Sequence, residues 1–519
     1  MSLEVAVVLL GLAVLLLDLW MPAEHKRKLG YAAALVVLAI FGLSFMFDTT
    51  VAVHGGIEMT SIEPRFTASD AYVLDPLALF FKRFFLVAAI FVLVMATEFA
   101  DRIEAGISEY YSLILFALAG MMFASSANDF TLLFVSLETI TVTFYVLTSF
   151  QRGRVQSLEA GVKYLVIGGL STGFTVMGIA LVSGTATTTI AGHTLNGMNF
   201  ADLAQFVKYY SPDHQGGFPP LFLAGLALVL AGLGFKIAAV PFQIWAPDVY
   251  QGSPTPTTAF LAIGSKAAGF VLLLRLLFTA VPDVTLHWEK ILMALSAATI
   301  LYGNLCAIPQ RSVKRLLGYS SIAHAGYLLL GVAAASASGS TAILYYLSGY
   351  LFTVIAAFIV ITIALRHAET DDISGLAGLH RRSPLLAWAM TFAVVSLAGI
   401  PPLAGFFGKF LLLKAVIEEG ARYSPFYCLA GVAIIGVVIS LYYYFGVVRA
   451  IFWSRDNNDV SSIRVPLLAR GALVVCMAGI LFLGIYPQPL LNVVDRAVQP
   501  LVAGMAGTTH SAPSTAALH

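Results

Sequence analysis

Apolar stretches of roughly 18 or more residues recur along nearly the whole chain, each long enough for a helix to cross a hydrocarbon core about 30 Å thick. Short polar connections separate them. The pattern predicts about fourteen membrane-spanning helices, starting near residues 3, 30, 76, 109, 128, 157, 219, 255, 288, 315, 340, 384, 425 and 465. Two connections are longer and more polar, near 48–75 and 185–218. The second contains "NFADLAQFVKYY", whose apolar residues have a helical period, which predicts a short amphipathic helix lying at the interface. The opening "MSLEVAVVLLGLAVLLLDLW" has no basic segment before its apolar run and reads as a retained first span. The final "MAGTTHSAPSTAALH" is small and polar and is expected to be disordered. The expected fold class is an all-α polytopic membrane protein.

Composition supports this pattern. Of 519 residues, 59% are hydrophobic and 11% charged, against about 25% charged in a soluble domain. The net charge is +1 and no basic block is present, so nothing points to nucleic acid. Cys306, Cys428 and Cys476 are scattered without a CxxC pattern, which argues against a disulfide framework, a zinc site or an iron–sulfur cluster. No Walker or dinucleotide motif occurs. Lys and Arg concentrate in the odd-numbered connections, as at Lys26, Arg27, Lys28, Arg152, Arg154, Arg311, Lys314, Arg315, Arg381, Arg382, Arg455 and Arg464. The even-numbered ones hold few, such as Arg65, Lys208, Lys290 and Arg422. Odd connections are therefore expected to be cytoplasmic, with both termini on the other side.

Four ionisable residues fall well inside spans: Glu138 in "LLFVSLETITV", Lys236 in "GLGFKIAAVPF", Lys266 in "FLAIGSKAAGF" and Lys409 in "GIPPLAGFFGKFLLLK". A charge at mid-bilayer costs about 3 kcal/mol on insertion scales, so such residues mark a pathway or a buried pair. One could be a snorkelling lysine, but one glutamate cannot neutralise three lysines. Loss of hydration favours the neutral amine and a nearby carboxylate favours the ammonium, so a row of such groups can pass protons. Lys82, Arg83 and Arg275 lie nearer span ends and read as snorkelling or structural. Glu159 and Lys163, four apart, read as stabilising a helix end.

Pro241 and the pair Pro401–Pro402 interrupt two spans, the seventh and the twelfth, each within about two turns of a lysine. Broken backbone at membrane depth is tolerated only against protein or water, so each break is expected to adjoin a hydrated cavity. His324 in "YSSIAHAGYLL" is the one histidine clearly inside a span, where it is either a hydrogen-bonded core residue or a proton carrier between lysines. One such histidine excludes a bis-imidazole haem. A faint repeat at an offset of 182 sets Tyr145 in "TFYVL" on Tyr327 in "AGYLL", and "AGVKYL" on "AILYYL"; "GLGFK" also resembles "GFFGK". Doubled bundles with a broken helix in each half are a common transporter plan.

"FKIAAVPFQIWAPDVYQGSPTPTTAFLAIGSKAAGF" resembles the seventh and eighth spans of subunit N of bacterial respiratory complex I, the NADH-quinone oxidoreductase, whose mitochondrial homologue is subunit 2. "QRSVKRLLGYSSIAHAGYLLLG", "LEAGVKYLVIGGLSTG" and "SLAGIPPLAGFFGKF" match other stretches of that subunit, and the likeness runs from about residue 70 to 450. Sister subunits L and M share the plan but not the "WAPDVYQGSPTP" form; M usually has a glutamate where Lys409 stands, and L carries an additional lateral helix.

The resemblance implies two inverted five-helix repeats with broken helices 7 and 12. Residues 1–108 would hold helices 1–3, residues 109–280 the first repeat (helices 4–8), residues 281–455 the second (helices 9–13), and residues 456–519 the last span and a short tail. It implies Glu138 as the acid paired with Lys236, Lys266 as the central lysine, and Lys409 as the lysine near the outlet. The chain would translocate protons as part of an enzyme and hold no cofactor itself. NADH, FMN, iron–sulfur clusters and quinone would belong to partner subunits, and its neighbours would include subunits M, K and J in the bacterial plasma membrane. Gln243 departs from the histidine the family often has in "VPFH". The alternatives are a subunit of a multisubunit cation/proton antiporter, and a non-transporting scaffold of the same fold.

Overall fold

In the computed structural model the described residues are 1–47, 71–190, 193–211, 217–366, 371–453 and 461–509. The polar connection over 48–70, with Arg65, and the stretch with Arg455 lie outside them. The helices are α1 Ser2–Asp18, α2 Ala23–Ser44, α3 Pro76–Phe99, α4 Ile107–Ser125, α5 Phe130–Thr148 and α6 Val155–Ala186. Then come α7 Phe200–Tyr209, α8 Pro220–Ile237, α9 Trp245–Gly252 and α10 Thr255–Ala280. The second half contains α11 Pro282–Ala307, α12 Val313–Ala333, α13 Ala337–Ala364, α14 Pro384–Ala398, α15 Ala404–Gly420, α16 Pro425–Trp453, α17 Leu467–Ile485 and α18 Gln488–Thr509.

Twelve helical segments among the described residues are long and apolar enough to cross a membrane. The two expected spans outside that set are α1, of 17 residues, and the region 384–420, which is divided into α14 and α15 of 15 and 17 residues. Helix starts follow local chemistry. Asp75 accepts from the Ala78 N–H at 2.7 Å with Pro76 in the first turn of α3, Asp129 accepts from Leu132 at 2.6 Å, and Ser312 accepts from Arg315 at 3.1 Å. The helix expected within "NFADLAQFVKYY" is α7, capped by Asn199, with Phe200, Leu203, Phe206 and Val207 buried. A small hairpin of β1 Thr189–Ile190 and β2 His193–Thr194 precedes it.

Enclosure separates helices that the apolar pattern alone cannot tell apart. In its most apolar 18-residue window α10 is buried at every position, and α12 and α13 nearly so, whereas α6 is mostly exposed. Lys266 and His324 therefore ride on central helices, and the apolar outer face of α6 suits lipid. Two π-helical segments, Leu261–Ser265 and Leu276–Ala280, interrupt α10, the first immediately before Lys266.

The N-terminal helices dock through buried charges. Lys82 is fully buried; its Nζ lies 2.8 Å from Glu4 Oε1 and donates to the Tyr72 hydroxyl at 2.8 Å. Arg275 makes a two-pronged contact with Asp75, at 2.7 and 3.1 Å, and donates from Nε to the Ser125 carbonyl at 2.8 Å. These groups are structural pairs inside the protein, and Lys82 does not snorkel. Asp75 thus both caps α3 and ties it to α10. At the other end α18 runs to Thr509, five residues into the stretch expected to be disordered, and residues 510–519 lie outside the described set. Its buried positions, Val494, Ala497, Val498 and Leu501, are spaced for one helical face but are too few to stand out in a hydropathy profile.

Candidate functional site

Lys236 is the penultimate residue of α8. Its stem lies against α10, where a Cβ at Gly269 would come 3.3 Å from Lys236 Cγ; the absent side chain lets the two helices approach. Its Nζ donates to Thr141 Oγ1 at 2.9 Å. Thr141 is one turn beyond Glu138 on α5, and Glu138 Oε1 accepts from Thr172 Oγ1 at 2.8 Å. The lysine and the acid are thus neighbours across a threonine and make no direct ion pair.

Lys266 is enclosed by α12 and donates to the Ser321 carbonyl at 2.5 Å and also to the Ser321 hydroxyl. That hydroxyl is a hub, with the Tyr250 hydroxyl at 3.0 Å and the Tyr350 hydroxyl donating to it at 3.2 Å. The Tyr350 ring centroid lies 5.2 Å from that of His324. His324 bonds through Nδ1 to the Tyr346 hydroxyl and through Nε2 to the Tyr444 hydroxyl at 3.1 Å. A neutral imidazole has one donor and one acceptor nitrogen, so one tyrosine donates while the other accepts. Tyr327 stands 6.1 Å from His324, centroid to centroid, and the Lys409 ammonium sits over the Tyr327 ring at 4.8 Å. An unbroken series of contacts therefore joins Lys266, Ser321, Tyr350, His324, Tyr327 and Lys409.

The two interruptions are built differently. After Ile237, Ala238 adopts φ +59°, and the chain passes Pro241 before α9 begins. The Phe235 carbonyl, which also accepts the Ala238 N–H, accepts from Trp245 Nε1 at 3.0 Å, and the Val240 N–H donates to Thr299 Oγ1 at 3.1 Å. After α14, Gly399 has φ +87°, and Lys409 from α15 donates to the last carbonyls, Leu397 at 2.8 Å and Ala398 at 3.3 Å. The ammonium thus caps the negative end of α14. A Cβ at Gly399 would stand 3.0 Å from Lys409 Cδ, so glycine serves both the backbone angle and the lysine. Side chains thus take up backbone groups at each interruption. The likeness of "GLGFK" to "GFFGK" is also not positional: Lys236 precedes its break and Lys409 follows its own.

Three buried hydroxyls near these groups lack a hydrogen bond: Tyr145 and Tyr164, whose rings pack together at 5.3 Å, and Ser265, next to Lys266 in the chain. Gln243 is buried with its amide oxygen unpaired. Among the described residues no group of three His, Cys, Asp or Glu side chains could hold a metal ion.

The profile of the family described as NADH:quinone oxidoreductase/Mrp antiporter, TM matches residues 127–440. A relative in Moorella thermoacetica named NADH-quinone oxidoreductase subunit N is 38% identical over 95% of this chain and 96% of its own length. The chain belongs to the subunit N family of NADH-quinone oxidoreductases. A solved chain of respiratory complex I from Thermus thermophilus is 30% identical, with a TM-score of 0.74 over 95% of this chain and 99% of its own. A chain of the Mrp complex from Dietzia, 20% identical with a TM-score of 0.78 over 98% of each, shares the fold. Subunit N membership makes this an antiporter-like, multi-pass membrane subunit.

The motif that carried the resemblance has a structural use in this chain. Asp248 of "WAPDVYQGSPTP" accepts from Lys163 at 2.6 Å and from Arg315 at 2.5 Å, joining α6, α9 and α12. Lys163 also pairs with Glu159 at 2.6 Å, so the helix-end pair is one arm of a larger cluster. Burial alone would raise the Asp248 carboxyl, but the two cations outweigh it and hold it below the ordinary value. Asp248→Asn is expected to lower stability by about 1 kcal/mol, since the cluster is partly exposed. Asp248 is held ionised in the fold, so its contribution is complete above about pH 4 and fades as pH falls through its lowered value. Thermal melting of the assembled complex between pH 3 and 7 checks this: the variant should lose the acid-side decline that this carboxylate contributes. Identical curves for the two proteins would remove Asp248 from the account.

Tyr350, Tyr346, Tyr444 and Thr141 were not singled out by the sequence. Tyr346 and Tyr350 are four apart in "YYLSGY", a polar stripe on an apolar helix that offered a signal. Ser320 and Ser321 belong to the stripe leading to His324; Ser320 bonds the Tyr444 hydroxyl at 2.5 Å.

Proposed function

We propose that this chain is a proton-translocating membrane-arm subunit of a respiratory NADH-quinone oxidoreductase. Protons pass along Glu138, Lys236, Lys266, His324 and Lys409 while partner subunits oxidise NADH and reduce quinone. The observation that carries this reading is the run of contacts from Lys266 to Lys409, with each lysine head enclosed by protein and bonded to hydroxyls or carbonyls. Snorkelling lysines would face headgroups, and a scaffold needs no run of hydroxyls, imidazole and aromatic rings between buried cations. Hydroxyls both donate and accept, so Ser321 and the tyrosines can relay a proton by reorienting. The unpaired hydroxyls of Tyr145, Tyr164 and Ser265 are the groups near the row that a water would bind, since leaving each unpaired costs about 1–3 kcal/mol.

The supporting relatives are named as subunits of this enzyme. By that likeness the chain assembles with the other membrane subunits, M, K and J among them. It sits in the bacterial plasma membrane with both termini on the non-cytoplasmic side, as the Lys and Arg distribution suggests. Residues 109–280 and 281–455 form the two repeats, preceded by helices 1–3 within residues 1–108 and followed by the last span and tail within residues 456–519.

His324 tests the link between lysines. His324→Ala is expected to lower proton-coupled quinone reduction several-fold in reconstituted complex, with assembly retained. His324→Gln, which keeps one donor and one acceptor, should not restore the wild-type dependence of turnover on pH. Wild-type rates and an unchanged pH profile in both variants would make His324 a packing residue.

A further inference from the structure

Two cations stand side by side at the start of α12, and the fold treats them differently. Arg315 is part-exposed and ion-paired with Asp248. Lys314 is buried, and its Nζ donates to the Ser253 carbonyl at 2.7 Å. Ser253 follows the last residue of α9, so the ammonium lies at the negative end of that helix, as Lys409 does at the end of α14. A carbonyl holds the ammonium in place without fixing its charge as an ion pair would. The charged groups that face it, Asp371, Arg102 and Arg154, all stand in odd-numbered connections. Lys314 therefore lies between that face and Ser321, which is two turns further along the same side of α12. α9 packs against this side: Asp248 meets Arg315, and the Tyr250 hydroxyl lies 3.0 Å from Ser321 Oγ. The Ser253 hydroxyl, one turn beyond Tyr250, is buried and makes no hydrogen bond among the described residues, which marks it as a group a water would bind.

We propose that Lys314 loads protons onto the row from the face of the odd-numbered connections. A proton leaves the Lys314 ammonium through water held at the Ser253 hydroxyl. Tyr250 and Ser321 then each accept one proton and release another, as hydroxyls can. The neutral amine of Lys266, in contact with Ser321, takes up the last one. One N–H bond is broken at Lys314 and one is formed at Lys266, and Lys314 stays neutral until that face reprotonates it. This loading step rests on the proton row proposed above.

Arginine separates loading from helix capping. Lys314→Arg keeps a cation and its donors, but a guanidinium does not release its proton at working pH. In the whole complex reconstituted in proteoliposomes, Lys314→Arg and Lys314→Met should both lower coupled turnover about fivefold. Lowering the pH on the face of the odd-numbered connections should recover part of that loss, because more protons there refill the row. Lys266→Ala should be slow at every pH. Tyr250→Phe, which removes only the hydroxyl, should cost about threefold. Wild-type turnover in Lys314→Arg would make Lys314 a helix cap and overturn the proposal. So would wild-type turnover in Tyr250→Phe, which decides the matter if neither Lys314 variant assembles. Normal turnover confined to the Lys314 and Tyr250 variants removes the loading step alone, whereas normal turnover in Lys266→Ala removes the row itself.

Discussion

Lys236→Ala is expected to lower proton-coupled quinone reduction at least tenfold, a loss of about 1.4 kcal/mol or more at the barrier, while the complex still assembles. Lys236 is buried, and among the described residues its hydrogen bond is to the Thr141 hydroxyl. An ammonium so placed has given up its hydration for little return, so removing it does not threaten the fold. For a path in series, however, its removal deletes a carrier and also the charge that faces Glu138 across Thr141. Lys236→Met separates the two possible causes of a loss, because methionine fills most of the lysine volume and leaves no cavity. Both variants should fail alike. Quinone reduction and lumen acidification measured together in proteoliposomes give the answer. An assembled Lys236→Met complex with full coupled turnover would remove this lysine from the mechanism.

Lys266→Ala is expected to have a comparable effect, with a graded companion. Lys266 is held by two acceptors of one residue, the carbonyl and hydroxyl of Ser321, on helices enclosed at almost every position. Protein encloses it on helices buried at almost every position, so its loss should lower coupled turnover by more than tenfold. Ser321→Ala keeps the ammonium and its carbonyl contact but removes the hydroxyl shared with Tyr250 and Tyr350. It should cost less, on the order of threefold to tenfold, as expected for one hydrogen bond of about 1 kcal/mol in the relay. The order of the two effects is what matters. If Ser321→Ala were silent while Lys266→Ala abolished turnover, the proton would have to leave Lys266 by a route other than Ser321.

Much of this protein was legible in one dimension. Lys236, Lys266, Lys409 and His324 stood out because ionisable groups are costly in lipid, and all four are buried in the structure. Lys82 and Arg275 looked similar but nearer span ends, and they prove to be structural pairs with Glu4 and Asp75. Their partners lie on other helices, or in the connection ahead of α3, at separations that no local pattern reveals. The same limit hid the role of Lys163, whose visible neighbour was Glu159 and whose second partner, Asp248, lies 85 residues away. Pro241, Pro401 and Pro402 marked where helices are interrupted. What satisfies the interruptions did not follow: Trp245 and Thr299 serve one, and Lys409 serves the other.

Hydropathy by itself determined that the chain is a helical membrane protein, because backbone polar groups in hydrocarbon must be paired within each segment. It also singled out the buried charges, since insertion cost is a property of the residue and its depth. Only the tertiary structure decided which apolar helices face lipid and which are enclosed, because both kinds are apolar all round. It alone decided what each ammonium touches, because hydrogen bonds act over about 3 Å and their partners are brought together by packing, not by proximity along the chain.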